Sequence, residues 1–198
     1  MPKITIRLGR LTIPLRCAEY FLDANLLTAF HVKNHSCHRA AELLVSQLLL
    51  LRERGKLALW VSPLVVSEVW WAVLGLLYDE ENGKGAWRSL NERTRLGGRE
   101  QRNEAKRDRE RAIERHIQAL AELTEFVLSP EKFDVAELGP QDVRRSFGNI
   151  EAYSLTPQDA LHCSVMQSRD VTGIVTNDRD FESLPWVEHR IRFDYPLS

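Results

Sequence analysis

Four carboxylates stand where an α/β fold gathers functional groups, and their surroundings call for a hard cation. Asp23 ends the apolar run at residues 20–22, and Asp178 ends the run at residues 174–176. Glu68 interrupts a stretch, residues 64–74, in which Ser67 is the only other polar residue, and Asp159 opens a helix behind Thr156-Pro157. An ionised carboxylate in an apolar helix must face a cation or a cleft. Ala72 and Gly75, one and two turns further along, leave space beside it. Read singly, each acid has a plainer role: Asp23 and Asp178 as turn or cap residues, Glu68 as the partner of an arginine, and Asp159 as half of a capping box with Thr156. Brought within a few ångströms of one another, the four would repel and take up protons unless a cation intervened. Oxygen ligands without His or Cys suit Mg²⁺ or Mn²⁺, which keep several waters and bind phosphates.

The elements that must position these acids follow from periodicity. Residues 4, 6, 8 and 11, 13, 15 are aliphatic, so a two-residue turn at Gly9-Arg10 pairs Leu8 with Leu11, Ile6 with Ile13 and Ile4 with Leu15 on one face of a β-hairpin. Pro14 makes its second arm an edge. A strand over residues 19–22 leads into a short helix after Asp23. A helix over residues 38–54 stops at Gly55, and a buried strand follows at 57–61. Ser62-Pro63 starts a helix that runs to about Tyr78. Residues 79–111 carry almost no apolar side chains and read as a protruding arm. From Ile113 a helical stripe resumes until Pro130. A strand at 133–138, helices at 140–152 and from Thr156-Pro157, and a strand at 173–176 complete an alternation that predicts a mostly parallel central sheet flanked by helices, with ligands at the C-terminal strand ends.

Composition sets the outer bounds. The chain has 198 residues, 43% hydrophobic and 28% charged, with a formal net charge of −1. That excludes a mostly disordered chain and a globally basic nucleic-acid binder. The longest apolar stretches fall short of the roughly 18 residues of a membrane span, and the N-terminus lacks the apolar core of a secretory signal. Cys17, Cys37 and Cys163 follow no disulfide or zinc pattern. A cytoplasmic protein with reduced thiols is expected. His31, His35, Cys37 and His38 likewise match no zinc signature. Positive charge is concentrated at residues 83–116, with 11 Lys or Arg against 6 Asp or Glu. There Glu104–Arg107, Asp108–Arg111 and Arg111–Glu114 form opposite-charge pairs at helical spacing, which reads as a solvated helix; contact with RNA phosphates or a protein partner is the competing reading. Trp70-Trp71 reads as core and dimer-surface packing.

The segments Phe21-Leu22-Asp23-Ala24-Asn25-Leu26, Ser62-Pro63 through Ser67-Glu68, Leu155-Thr156-Pro157-Gln158-Asp159-Ala160-Leu161-His162 and Ile174-Val175-Thr176-Asn177-Asp178-Arg179-Asp180-Phe181 occur in this order. Together they resemble the PIN domain family, including its VapC-like toxin ribonucleases. The similarity covers roughly residues 19–195, outside the charged arm. It implies a Rossmann-like parallel sheet for a PIN-like domain at 19–198, from whose minimal form the N-terminal β-hairpin extension (1–18) and the charged helical insertion at about 79–111 depart. It also implies a Mg²⁺- or Mn²⁺-dependent endoribonuclease, catalytic and metal-binding acids at Asp23, Glu68, Asp159 and Asp178, and frequently a cognate antitoxin that holds the toxin inactive. Asn25 and Thr176 match polar residues that the family sets beside the acids, and Asp180 is a fifth acid or a cap on the following turn. The mechanism implied is hydrolysis of an RNA phosphodiester by metal-activated water, with no side-chain nucleophile. A homodimer joined through apolar helical surface is expected. A non-catalytic PIN-scaffold or RNA-binding module, and a metal-dependent DNA nuclease, are the alternatives.

Overall fold

A computed structural model of the chain describes residues 4–8 and 11–194. Strands β1 (Thr5–Leu8) and β2 (Leu11–Pro14) form the antiparallel hairpin, with Ile6 opposite Ile13 and Leu8 opposite Leu11. Leu15 N–H donates to Ile4 C=O at 2.8 Å, which continues the predicted register. The predicted turn at Gly9-Arg10, and Tyr195 at the end of the resemblance, lie outside the described residues. The hairpin is docked on helix α2 (His38–Glu53), because the Gln47 amide accepts from Arg7 N–H at 2.9 Å and donates to Arg7 C=O. That one side chain occupies a stretch of strand edge otherwise open to another chain. Ile6 is fully buried in the main core.

Strands β3 (Glu19–Leu22), β4 (Ala58–Val61), β5 (Asp134–Val135), β6 (Gly173–Val175) and β7 (His189–Ile191) form a five-stranded sheet in the order β5-β4-β3-β6-β7, and every pairing is parallel. Tyr20, Phe21, Leu22, Ile174 and Val175 are all buried, which is why these strands read as unbroken apolar runs rather than alternations. A Cβ at Gly173 would lie 2.5 Å from the Glu19 carbonyl, so only glycine lets β6 close on β3. The chain passes from β3 to β4 on one side and places β6 on the other. That reversal opens a crevice beyond the C-terminal ends of β3 and β6. Two strands differ from expectation. The predicted strand at 133–138 pairs only at Asp134–Val135, and β7, three residues of mixed polarity, carries no readable pattern.

Helices α1 (Ala24–His31), α3 (Pro63–Asn82), α4 (Ala86–Leu96), α5 (Arg99–Val127), α6 (Pro140–Tyr153) and α7 (Pro157–Ser168) complete the fold. Ser62 Oγ accepts from Val65 N–H and Thr156 Oγ1 from Asp159 N–H, so both predicted caps form, each ahead of a proline in the first turn. The charged arm is a helical hairpin, α4 against α5, seated on α3. Gly75 does not leave space beside Glu68, as the sequence had implied. Its missing side chain admits the Trp87 indole, whose Cδ1 would lie 2.6 Å from a Cβ there. Asp79 fixes this junction by accepting from Gly85 N–H at 3.0 Å and Trp87 N–H at 2.6 Å. Leu90, Ala105 and Ala112 form the arm's small buried seam. Asp108 pairs with Arg111 at 3.7 Å as predicted and also with Arg93 across the hairpin at 3.9 Å, whereas Glu104–Arg107 and Arg111–Glu114 do not form among the described residues. Trp70 and Trp71 are 40% and 47% exposed. They border a groove of about 540 Å³ between α3 and α5 that Ile113, Ile117 and Leu120 complete, so they are surface rather than core residues.

Candidate active site

The crevice beyond β3 and β6 is built from Asp23 outward. Asp23 follows β3 directly and caps α1, and it is 8% exposed. Its Oδ1 accepts from Ala24 N–H at 2.6 Å, and its Oδ2 accepts from Asn25 Nδ2 and from the Thr176 hydroxyl, both at 2.6 Å. Thr176, fully buried at the end of β6, also accepts from Asn25 Nδ2 and from Asp178 N–H, both at 2.9 Å. One hydroxyl thereby couples the loops that follow the two central strands. Asn25 Oδ1 is buried and has no hydrogen-bond partner among the described residues.

Helix α3 brings Glu68 to Asp23, and α7 brings His162. The His162 ring is 2% exposed, with Nε2 at 3.0 Å from Glu68 Oε2 and its ring tilted against Phe21 at 5.5 Å between centroids. One ligand atom each from Asp23, Glu68 and His162 lies within 4.8 Å of the others. Asp159, Asp178 and Asp180 form a second group with the same spacing. The four acids expected in one pocket therefore form two adjoining groups. Thr176 joins them through Asp178 N–H, and α7 joins them by carrying Asp159 and His162 one turn apart. Asp180 N–H donates to Asp178 Oδ1 at 2.9 Å, and a 3₁₀ turn, Asp180–Ser183, follows. Its exposed carboxylate makes Asp180 both a turn residue and a member of the second group.

Charge balance distinguishes this crevice. Burial, reinforced by the Glu68 charge, pushes Asp23 up to about 6 against the Thr176 hydrogen bond, the nearby His162 charge and Ala24 N–H. Asp159 is also raised, first by burial and then by Asp178 and Asp180, against Thr156 and His162. Burial alone would lower His162, but the hydrogen bond to Glu68 and the charges of Glu68, Asp23 and Asp159 hold it above its ordinary value. Among the described residues, no Lys or Arg forms an ion pair with any of these five acids, so the arginine partner considered for Glu68 is replaced by an imidazole. A donor set of carboxylate oxygens, one unpartnered amide oxygen and one imidazole fits a divalent cation, whose charge would remove the repulsion.

Two residues escaped the sequence reading. His162 lies three residues after Asp159, on the same helical face, which was the available signal. Arg190, from β7, donates through Nη1 to Asp178 C=O at 2.6 Å and through Nη2 to Glu182, and so holds the loop that carries Asp178. The other histidine cluster does structural work: His35 Nδ1 accepts from Cys37 N–H at 3.1 Å, and His38 Nδ1 bonds Ala29 C=O at 2.9 Å.

Comparison with known proteins identifies the fold. The chain is similar in structure to the sarcin-ricin loop cleaving toxin VapC20 of Mycobacterium tuberculosis, with a TM-score of 0.51 and 15% identity over 85% of this chain and 97% of that one. No curated protein matches by sequence. The family model for the PIN domain matches residues 20–187, from the strand that delivers Asp23 to the last turn before β7. With the switch-point crevice and its acids inside that span, this chain belongs to the PIN domain family.

Proposed function

We propose that the chain is a metal-dependent endoribonuclease whose ion or ions are held by Asp23, Glu68, Asp159 and Asp178, with Asn25, Thr176 and Asp180 supporting them. The observation that carries this reading is buried Asp23 beside half-buried Glu68, two like charges with no Lys or Arg paired to either among the described residues, at the C-terminal end of the central strands. Mg²⁺ or Mn²⁺ bound there supplies activation of water and neutralises charge on the scissile phosphate. The protein's own part is orientation. Ala24 N–H, Asn25 and Thr176 fix both oxygens of Asp23, and Arg190 and Thr176 fix the backbone on either side of Asp178. Glu68 and Asp159 enter from separate helices, so substrate meets acids on a rigid frame. RNA is favoured over DNA because the structural neighbour VapC20 is a sarcin-ricin loop cleaving toxin. The same neighbour is a toxin, which supports a toxin role here, and a cognate antitoxin is proposed with it. Cytoplasmic location and a homodimer joined through the Trp70–Trp71 groove complete the proposal.

The test is cleavage of structured and single-stranded RNA, with matched DNA, in Mg²⁺, Mn²⁺ or EDTA. Cleavage of RNA that needs the ion and disappears in both Asp23→Asn and Glu68→Gln, with circular dichroism unchanged, is expected. Undiminished cleavage by both variants would remove these residues from the site. Lack of both cleavage and ion binding by the wild type would leave a non-catalytic binding module.

A further inference from the structure

We propose that His162 is itself a ligand of the ion held by Asp23 and Glu68, and that its nitrogen makes this position prefer Mn²⁺ over Mg²⁺. The inference rests on the metal-site reading above and adds a ligand and a selectivity to it.

Spacing comes first. Neighbouring ligands of an octahedral ion at about 2.1 Å stand about 3.0 Å apart, and opposite ligands about 4.2 Å. His162 Nε2 and Glu68 Oε2 are 3.0 Å apart, and the set of three with Asp23 falls within 4.8 Å. The His162–Glu68 pair has the separation of neighbouring ligands in one coordination sphere, and Asp23, within 4.8 Å of both, joins that sphere by a small side-chain movement. A ring that served only to steady Glu68 is a costly device. His162 is almost completely buried and all of its polar bonding is made through Nε2, whose proton, donated to Glu68 in the ion-free protein, is released when an ion takes the nitrogen lone pair. The Glu68 side chain keeps 20% of its exposure, so water could serve that carboxylate without an imidazole. Phe21 on the adjoining strand fixes the ring so that Nε2 stays turned to the acids.

Donor chemistry then sets the preference. Mg²⁺ favours oxygen and gives up water reluctantly, whereas an imidazole nitrogen strengthens binding of first-row transition ions. The second group, Asp159, Asp178 and Asp180, offers oxygen only and lacks that bias.

The experiment uses the purified full chain. Titration calorimetry with Mn²⁺ and Mg²⁺ is expected to favour Mn²⁺, and His162→Gln to weaken Mn²⁺ binding by about tenfold or more, comparable to or beyond the loss of a supporting residue, with little change for Mg²⁺. Pulsed electron paramagnetic resonance on wild-type protein carrying Mn²⁺ is expected to show ¹⁴N modulation from a directly bound imidazole, a readout that does not depend on how the variant folds. Mn²⁺ bound without ¹⁴N coupling overturns the assignment of His162 and leaves the acid site standing. No binding of either ion by the wild type overturns both.

Discussion

Replacing Asp23 by asparagine is expected to stabilise the ion-free protein at neutral pH while abolishing its activity. Asp23 carries three hydrogen bonds, yet burial and the Glu68 charge still raise it from 3.8 to about 6. The two values differ by about 2 pH units, which at about 1.4 kcal/mol each amounts to about 3 kcal/mol. The sign is set by proton counts. Between pH 3.8 and about 6 the folded state holds the Asp23 proton that the unfolded chain has released, so stability falls as pH rises through this window. Of the total, about 2 kcal/mol is lost between about pH 4.5 and about pH 7.5. Asparagine has nothing to ionise. Its amide would face the Asn25 and Thr176 donors, but Asn25 can turn its unpartnered Oδ1 inward and the Thr176 hydroxyl can rotate, at a cost of about 1 kcal/mol. A net gain of about 1–2 kcal/mol near pH 7.5 remains.

The assay is urea unfolding of wild type and Asp23→Asn in EDTA at about pH 4.5 and about pH 7.5, repeated with saturating Mn²⁺. The variant's advantage should be absent or reversed at the lower pH, appear at the higher one, and vanish with Mn²⁺, which stabilises only the protein that binds it. His162 contributes in the same direction, since its raised value gives stability at low pH that is lost as pH rises through it. The variant also loses one of the charges that raise His162, so the measured difference includes that change. Equal pH dependence in the two proteins, or a variant less stable near pH 7.5, would refute the argument that Asp23 is held in a frustrated state.

Three further perturbations address the frame. Gly173→Ala places a Cβ 2.5 Å from the Glu19 carbonyl and should cost about 3 kcal/mol or prevent folding, read by urea unfolding; a loss below 1 kcal/mol would mean that β6 can shift freely. Gly75→Ala should unseat Trp87 with a loss of about 1–3 kcal/mol and faster proteolysis within the arm, leaving ion binding intact, and unchanged cleavage sites and rates would contradict that seat. Arg190→Ala frees the Asp178 carbonyl and should lower cleavage by up to about 100-fold without changing the circular dichroism spectrum, because a small misplacement of a reacting frame is enough; full activity would make Arg190 dispensable.

The parts of this site that the sequence exposes are those with a local signature. An acid that closes an apolar strand, or interrupts an apolar helix, breaks a pattern, and so Asp23, Asp178 and Glu68 stand out. Asp159 shows that a local role and a functional one coexist: Thr156 caps it as the motif predicts, and it still belongs to the second acid group. What stayed hidden depends on tertiary contact. His162 reads as an ordinary helix residue until α7 is set against α3, and Arg190 sits on a strand too short to have a period. Gly75 was read from its own helix as leaving space near Glu68, but Trp87 fills its notch from twelve residues further along, a contact that no helical spacing reveals. The division of the acids into two groups has the same origin, since it depends on how the loop after β6 turns at Asp180.

Elsewhere in the molecule the enclosed or half-enclosed acids are matched by donors, which separates the crevice from a merely structural network. Asp134 takes a forked pair of bonds from Arg52, Asp79 takes two backbone N–H groups, and Asp142 accepts from Gly139 N–H and lies 3.6 Å from Arg145. At the crevice, donors are concentrated on Asp23, while Glu68 has one imidazole and Asp159 the Thr156 hydroxyl, and both otherwise face like charges. A fold selected for stability alone would put an arginine there or replace the acids with apolar residues of similar volume, since an unbalanced buried charge destabilises a domain whose whole margin is about 5–15 kcal/mol. Keeping Asp23 and Glu68 beside one imidazole, with three more acids in the adjoining group, makes physical sense when positive charge arrives from outside, first as an ion and then in balance with the phosphate it binds.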